Sequence, residues 1–153
     1  MIRKYQSTDC EDVLNVWARA SALAHPFLSQ EFFERERHMI PSVYLPKAET
    51  WVWESGGQVV GFISLLGNEI GAIFVDPGVH RTGIGRALID RARALRAGLE
   101  VEVFERNLLG RAFYTKLGFE LMSRKCHDPT GFEVMRLRLS ARDPLPPIVD
   151  TVD

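Results

Sequence analysis

Cysteine is scarce. Cys10 and Cys126 are the only two in 153 residues, too few for a disulfide framework, so a reducing cytoplasm is the expected compartment. Histidine is nearly as rare, and its four copies form no pairing at metal-ligand spacing, so no metal site is expected. Neither sign of charge prevails: 19 basic against 20 acidic side chains leave a formal charge of −1. That excludes a generally polycationic nucleic-acid binder. Long apolar runs are also missing. The longest uncharged stretch, Ser55 to Asn68, is broken by glycines and too short to span a bilayer, so no membrane partner is expected. The opening Met1-Ile2-Arg3-Lys4-Tyr5 leads into polar and acidic residues and not into the apolar segment of a secretory signal. What remains is ordinary for a globular chain, 46% hydrophobic and 25% charged. Its length suits one domain, which buries about 70% of the surface of the unfolded chain.

Hydrophobic periodicity divides the chain into alternating elements. Ile2 to Gln6 reads as a strand, and Thr8 with Glu11 has the spacing of a capping box. Val13, Trp17, Ala20 and Ala24 follow at helical spacing, and the helix is expected to end at His25-Pro26. Ser29 is a cap candidate for a second helix through Ile40, bounded or kinked by Pro41 and Pro46. The period then changes. Thr50 to Glu54, Val59 to Leu66 and Glu69 to Val75 read as strands separated by glycine turns, the last two apolar enough for the covered centre of a sheet. A helix after Gly83 and Gly85 carries Ile84, Leu88, Ala92 and Leu95 on one face, and Gly98 is expected to close it. Leu99 to Phe104 alternates as a strand, Leu108 to Leu117 is helical, and Phe119 to Lys125 and Phe132 to Leu139 are the last strands. The order predicts a mixed α/β fold in a single domain over residues 1–140. The proline-rich residues 141–153 are expected to run as an extended, disorder-prone tail.

The segment with most chemical content runs from Ile73 to Leu88: a strand end, a loop with glycines, a helix start. A helix N-terminus presents unpaired amide N–H groups and the positive end of its dipole, and so holds an anion. Glycines at 83 and 85 let an oxyanion approach the backbone, and Arg81 and Arg86 add positive charge. A pyrophosphate suits that combination. A Walker loop requires a Gly-Lys-Ser/Thr string that is absent, and a dinucleotide fingerprint requires a small residue where Leu88 stands.

His80-Arg81-Thr82-Gly83-Ile84-Gly85, after Val75-Asp76-Pro77, resembles the signature of the GNAT superfamily of acyl-CoA-dependent N-acyltransferases, Arg/Gln-x-x-Gly-x-Gly/Ala, with His80 replacing the first residue. Asn107 followed by Phe113-Tyr114-Thr115-Lys116-Leu117-Gly118-Phe119 is similar to a second family pattern. Trp17-x-x-x-Ser21 with His25-x-Phe27-Leu28 resembles the front half of small bacterial members. The resemblance implies a GNAT-like fold: a mostly antiparallel, twisted sheet of about seven strands, its fourth and fifth strands splayed, flanked by about four helices. It implies acetyl-CoA as co-substrate and direct transfer of the acetyl group to a primary amine, on a small molecule or a peptide. It also implies roles. The backbone of Ile73, Phe74 and Val75 would bond the pantetheine arm, the loop from His80 through Arg81, Thr82, Gly83 and Ile84 to Gly85 and Arg86 would hold the pyrophosphate, Asn107 would open the thioester slot, and Tyr114 would be the acid for the departing thiolate.

Other residues stay open on the sequence. Glu69 begins the strand that leads to the loop, as a general base or a solvated strand-end carboxylate; Glu102 and Glu105 are further candidates. His25 reads as a base, a substrate contact or a cap on carbonyls, and Phe27 accompanies it toward the acceptor side. Tyr114 is either catalytic or a boundary residue beside a buried face of Leu109, Phe113 and Leu117. Cys126-His127-Asp128 is read as coincidence, because neighbours on a strand point to opposite faces. A homodimer through the final strands is a further expectation. Two other functions compete: a non-catalytic acyl-CoA-binding module and a nucleotide-binding protein.

Overall fold

The structure, a computed structural model, describes residues 1–141; apart from Ala141, the proline-rich tail lies outside the described residues. Strands β1 (Ile2–Lys4), β2 (Glu49–Ser55), β3 (Gln58–Leu66), β4 (Glu69–Val75), β5 (Leu99–Phe104), β6 (Glu120–Cys126) and β7 (Glu133–Leu139) form one sheet, ordered β1-β2-β3-β4-β5-β7-β6. Every neighbouring pair is antiparallel except β4 and β5. Among the described residues, four helices exceed one turn: α1 (Cys10–Ala24), α2 (Gln30–Met39), α3 (Ile84–Leu95) and α4 (Leu108–Lys116).

Strand β3 explains the layering. Its residues are buried on both faces because the sheet carries a core on each side. Phe62 points to the side of Val13, Val16 and Trp17 of α1, while Ile63 and Leu65 point to Leu88 and Ile89 of α3. Burying each such side chain contributes about 2 kcal/mol. Trp17 stacks on Phe33 at 4.5 Å and so holds α1 to α2.

The feature that matters for function is where the sheet opens. Strands β4 and β5 pair only at Glu69 with Glu100 and Ile70 with Val101. The next residue, Gly71, is an extra residue against β3, since Ser64 pairs with Ala72 and Leu65 with Ile70. A bulge bends its strand and increases the local twist. Beyond Gly71, β4 stays on β3 while β5 stays on β7, and a wedge opens between them.

Several elements differ in detail from the sequence expectation. Strand β1 stops at Lys4. The acid that turns back at the start of α1 is Asp9, not Glu11: its carboxylate accepts from the Gln6 amide at 2.8 Å and takes both terminal nitrogens of Arg3. Beyond α2, capped by Ser29 as expected, the chain does not break at Pro41; it widens into a π turn over Ile40–Tyr44, which accommodates a residue lacking an N–H. Helix α3 ends through an extended Arg96 and not at Gly98. In α4 the buried face is displaced: Leu109 is 52% exposed, whereas Tyr114 and Leu117 are buried.

Candidate active site

The loop after β4 is shaped by its own polar side chains. The Asp76 carboxylate accepts from the Gly78 amide at 2.8 Å and pairs with the Arg19 guanidinium of α1. The Thr82 hydroxyl donates to the Val79 carbonyl at 2.6 Å. His80 folds back, its Nε2 lying 2.8 Å from the Val75 carbonyl, so that nitrogen carries the proton and donates. Arg81 and Gly83 both adopt the left-handed region, φ 64° and 86°, and this brings the chain round to the start of α3. Because α3 begins at Ile84, the amides of Ile84, Gly85 and Arg86 have no acceptor within the helix. Among the described residues, the Arg81 and Arg86 side chains form no ion pair. Gly85 is constrained by packing: a Cβ there would lie 3.0 Å from Cε1 of Phe113 on α4.

The open flank of β4 has unused hydrogen-bonding groups. The Asp76 amide donates to the Val60 carbonyl at 2.8 Å, which makes the adjacent pair, Gly61 and Val75, a non-hydrogen-bonded one. The regular register places Ile73 opposite Ile63 in the same way. The N–H and C=O of Ile73 and the N–H of Val75 therefore face the wedge unpaired, the Val75 C=O being taken by His80 Nε2, while both groups of Phe74 bond to β3. Backbone groups in that position need partners.

A cavity of about 140 Å³ lies in the wedge. It is lined by Ile73, Phe74, Val75, His80, Arg81, Gly85, Asn107 and Tyr114, and also by Ala20, Ala24, Leu109, Gly110 and Phe113, which the sequence did not single out as site residues. Thr82, Gly83, Ile84 and Arg86 complete the adjoining loop and helix start. Tyr114 is 7% exposed, packed edge-on against Phe113 and Phe119 at 5.3 and 5.2 Å. Its hydroxyl makes no hydrogen bond to any described residue, and burial pushes the phenol well above its ordinary range, so it stays protonated. A buried donor without a partner, beside a cavity, is a group that a ligand completes.

Asn107 is also buried. Its Oδ1 accepts from the Gly110 amide at 2.9 Å and caps α4, and its Nδ2 lies 3.3 Å from His25 Nε2. The other ring nitrogen of His25 is 3.0 Å from Ser21 Oγ. Both nitrogens of His25 are thus used within the protein, so it is not free to touch an acceptor. Burial lowers its pKa to about 4. Phe27 is in edge contact with His25 at 5.9 Å, Phe104 of β5 at 5.5 Å and Phe132 at 5.1 Å.

Glu69 lies apart. It stands six residues along β4 from Val75, about 20 Å at strand rise, and at the closed end of the wedge, with Arg136 Nη1 at 3.5 Å. Arg136 also meets Glu100 at 2.7 Å and Glu102 at 3.5 Å, and Lys125 meets Glu102 at 3.1 Å. Glu105 pairs with Arg124 at 2.7 Å. His127 bonds Thr130 at 2.8 Å and not Cys126, so no triad forms. Among the described residues, no helix is long and apolar enough to cross a membrane.

The residues present fit an acyl-CoA. Free amides at a helix start with two unpaired arginines suit its pyrophosphate, the wedge-facing backbone of Ile73 and Val75 suits the amides of its arm, and the orphaned Tyr114 hydroxyl suits its sulfur.

Comparison with known proteins agrees. Residues 46–121 match the family described as "Acetyltransferase (GNAT) domain". The peptidyl-lysine N-acetyltransferase YiaC of Escherichia coli K12 is 31% identical over 131 residues, 85% of this chain and 90% of that protein. YjaB of the same organism, also described as a peptidyl-lysine N-acetyltransferase, is 34% identical over 131 residues, 85% and 88% of the two chains. The solution structure of apo-form YjaB superposes with a TM-score of 0.82, covering 91% of this chain and 96% of that one at 31% identity. The PaiA N-acetyltransferase of Thermoplasma acidophilum, solved with coenzyme A, shares the fold at a TM-score of 0.72 and 20% identity, covering 89% and 96%. The chain belongs to the GNAT family of acetyltransferases, and its enzyme class is acyltransferase.

Proposed function

We propose that this protein transfers the acetyl group of acetyl-CoA to the side-chain amine of a lysine in a protein or peptide, by direct attack within a ternary complex. The observation that carries the proposal is the buried, protonated and unpartnered hydroxyl of Tyr114 beside the wedge. The lysine acceptor is supported by the descriptions of YiaC and YjaB.

The residues divide the work as follows. Amides of the 81–86 loop with Arg81 and Arg86 hold the pyrophosphate, and the wedge-facing backbone of Ile73 bonds the pantetheine arm. The wedge-facing Val75 amide donates to the thioester oxygen, where negative charge develops. An ammonium is no nucleophile, so one proton leaves it first, to solvent water; Glu69, about 20 Å along β4 from Val75 and paired with Arg136, is too far to receive it through a single water. The freed amine nitrogen bonds to the carbonyl carbon, and the carbon–sulfur bond breaks. Tyr114 gives its proton to the leaving sulfur, and the second proton of the amine restores the phenol. The net change is one amide, one thiol and one proton from a thioester and an ammonium. Phe27 and Phe104 flank the aliphatic stem of the incoming lysine.

Thiol release from acetyl-CoA, measured over a panel of lysine peptides, α-amines and small amines, tests this. Lysine peptides are expected to be acetylated, with mass spectrometry locating the group on the ε-nitrogen. Tight acetyl-CoA binding without turnover on any amine would favour a binding module instead.

A further inference from the structure

His25 and Asn107 are 82 residues apart in sequence, at the end of α1 and the start of α4, and their side chains meet between the two arms of the sheet. The proton positions follow from the partners. The Gly110 amide donates to the Asn107 side chain at 2.9 Å, which identifies that end as the oxygen. The other end is the amide NH₂, a donor, so His25 Nε2 at 3.3 Å is the bare, accepting nitrogen. The ring proton then sits on Nδ1 and is donated to Ser21 Oγ at 3.0 Å. An imidazolium would set two donors against each other, and burial opposes it as well, in keeping with the depressed pKa of His25. The ring is clamped edge-on by Phe27 at 5.9 Å, Phe104 at 5.4 Å and Phe74 at 6.4 Å.

We propose that His25 is a positioning residue: as the neutral Nδ1–H tautomer it fixes the Asn107 amide so that one Nδ2 hydrogen remains directed to the ligand beside Tyr114. An amide held only at its oxygen can swing about its own bonds. One held at both ends presents its remaining hydrogen in a single direction. Catalysis depends on such placement, because a donor that is mobile in the ground state must be ordered at the barrier. The role deepens the acetyl-transfer reading and rests on it for its effect on rate.

The test uses the full chain and two substitutions. His25→Phe keeps a ring among the phenylalanines and removes the acceptor. His25→Gln restores an acceptor oxygen close to the Nε2 position. Long-range ¹⁵N spectra of the unsubstituted protein at pH 7 are expected to show His25 protonated at Nδ1 and bare at Nε2. The Asn107 side-chain amide signals are expected to shift in His25→Phe and to return toward their original place in His25→Gln. In the transfer assay, kcat falls about tenfold in His25→Phe, the worth of one well-placed hydrogen bond, and mostly recovers in His25→Gln. The amine KM stays the same in both. An Nε2–H tautomer, unmoved Asn107 signals in His25→Phe, or an unchanged kcat overturns the proposal. If the unsubstituted chain acetylates no amine, the acetyl-transfer reading fails, and the spectra still decide the His25–Asn107 geometry.

Discussion

Gly110 and Asn107 interlock: a Cβ at position 110 would fall 2.5 Å from Asn107 Nδ2 and 2.9 Å from its Cγ. The same two residues are joined by the bond that caps α4, Gly110 amide to Asn107 Oδ1 at 2.9 Å. Gly110→Ala must therefore expel the Asn107 side chain. Losing the cap costs about 1 kcal/mol, but alanine is the better helix former by about 1 kcal/mol. Stability is expected to stay nearly level while acetyl transfer falls about tenfold, the effect of one lost hydrogen bond. A thermal melt beside a steady-state assay separates the two; a large drop in melting temperature with normal turnover would contradict the assignment.

Tyr114→Phe isolates the hydroxyl. The rings of Phe113 and Phe119 that hold the phenol touch its carbon frame, so the packing survives. Removing a buried hydroxyl that has no protein partner does not destabilise, and a small gain in the urea midpoint is expected. If the phenol protonates the leaving sulfur, kcat drops about 10²-fold, at the lower end of what a general acid supplies, while acetyl-CoA affinity by calorimetry changes little. Equal losses in affinity and kcat would make the hydroxyl a binding contact only.

The sequence makes some of this legible and hides the rest for definable reasons. Strands β4 and β5 have the same limits in the sequence reading and in the structure, because turn residues bracket apolar runs on either side. The glycine loop and the Asn107–Phe119 segment stand out because their residue types are unusual for plain helix starts. The bulge at Gly71 does not stand out, since a glycine in a strand has several uses, yet it marks where the sheet opens. Helical spacing also cannot tell which arc of α4 meets the core, and that is why Leu109 and Tyr114 trade places relative to expectation. Gly110 carried a signal that was open to reading, a glycine inside a helix where alanine is favoured. Ser21, His25 and Asn107 each stood out, but the contact of His25 with Asn107 had no signal, because tertiary packing alone brings residues 82 positions apart together.

The glycines of the phosphate loop fail in different ways when substituted. A Cβ at Gly83 would meet open space, but the φ there is 86°, so Gly83→Ala is strained in the backbone and not by contact. That strain costs about 1 kcal/mol. Gly85 has an ordinary φ but sits against Phe113, 3.0 Å from a Cβ, so Gly85→Ala pushes that ring toward the wedge or α3 away from it. Coenzyme A titrations are expected to show a loss of about tenfold for Gly85→Ala. Desulfo-coenzyme A, which keeps the pyrophosphate, should show the same loss. Unchanged affinity in both titrations would remove the helix start from the binding site.

Half-buried His25 also makes stability depend on pH in a predictable direction. Its pKa is lowered to about 4 in the folded chain, against an ordinary value of 6.5, so the unfolded chain binds the proton more readily. The stability that neutral His25 contributes is complete above pH 6.5 and declines as pH falls from there toward 4. Between pH 7.5 and 5 the decline amounts to about 2 kcal/mol. The Asp9 carboxylate, held below its ordinary range by Arg3, acts in a separate window: its contribution persists above the ordinary aspartate value and is lost only at lower pH. Urea unfolding at pH 7.5, 6.5, 5.5 and 5 therefore isolates the histidine. The unsubstituted protein should lose stability across that series more steeply than His25→Gln, whose side chain does not titrate, and parallel curves would mean that His25 is protonated as easily in the folded protein as in the unfolded chain.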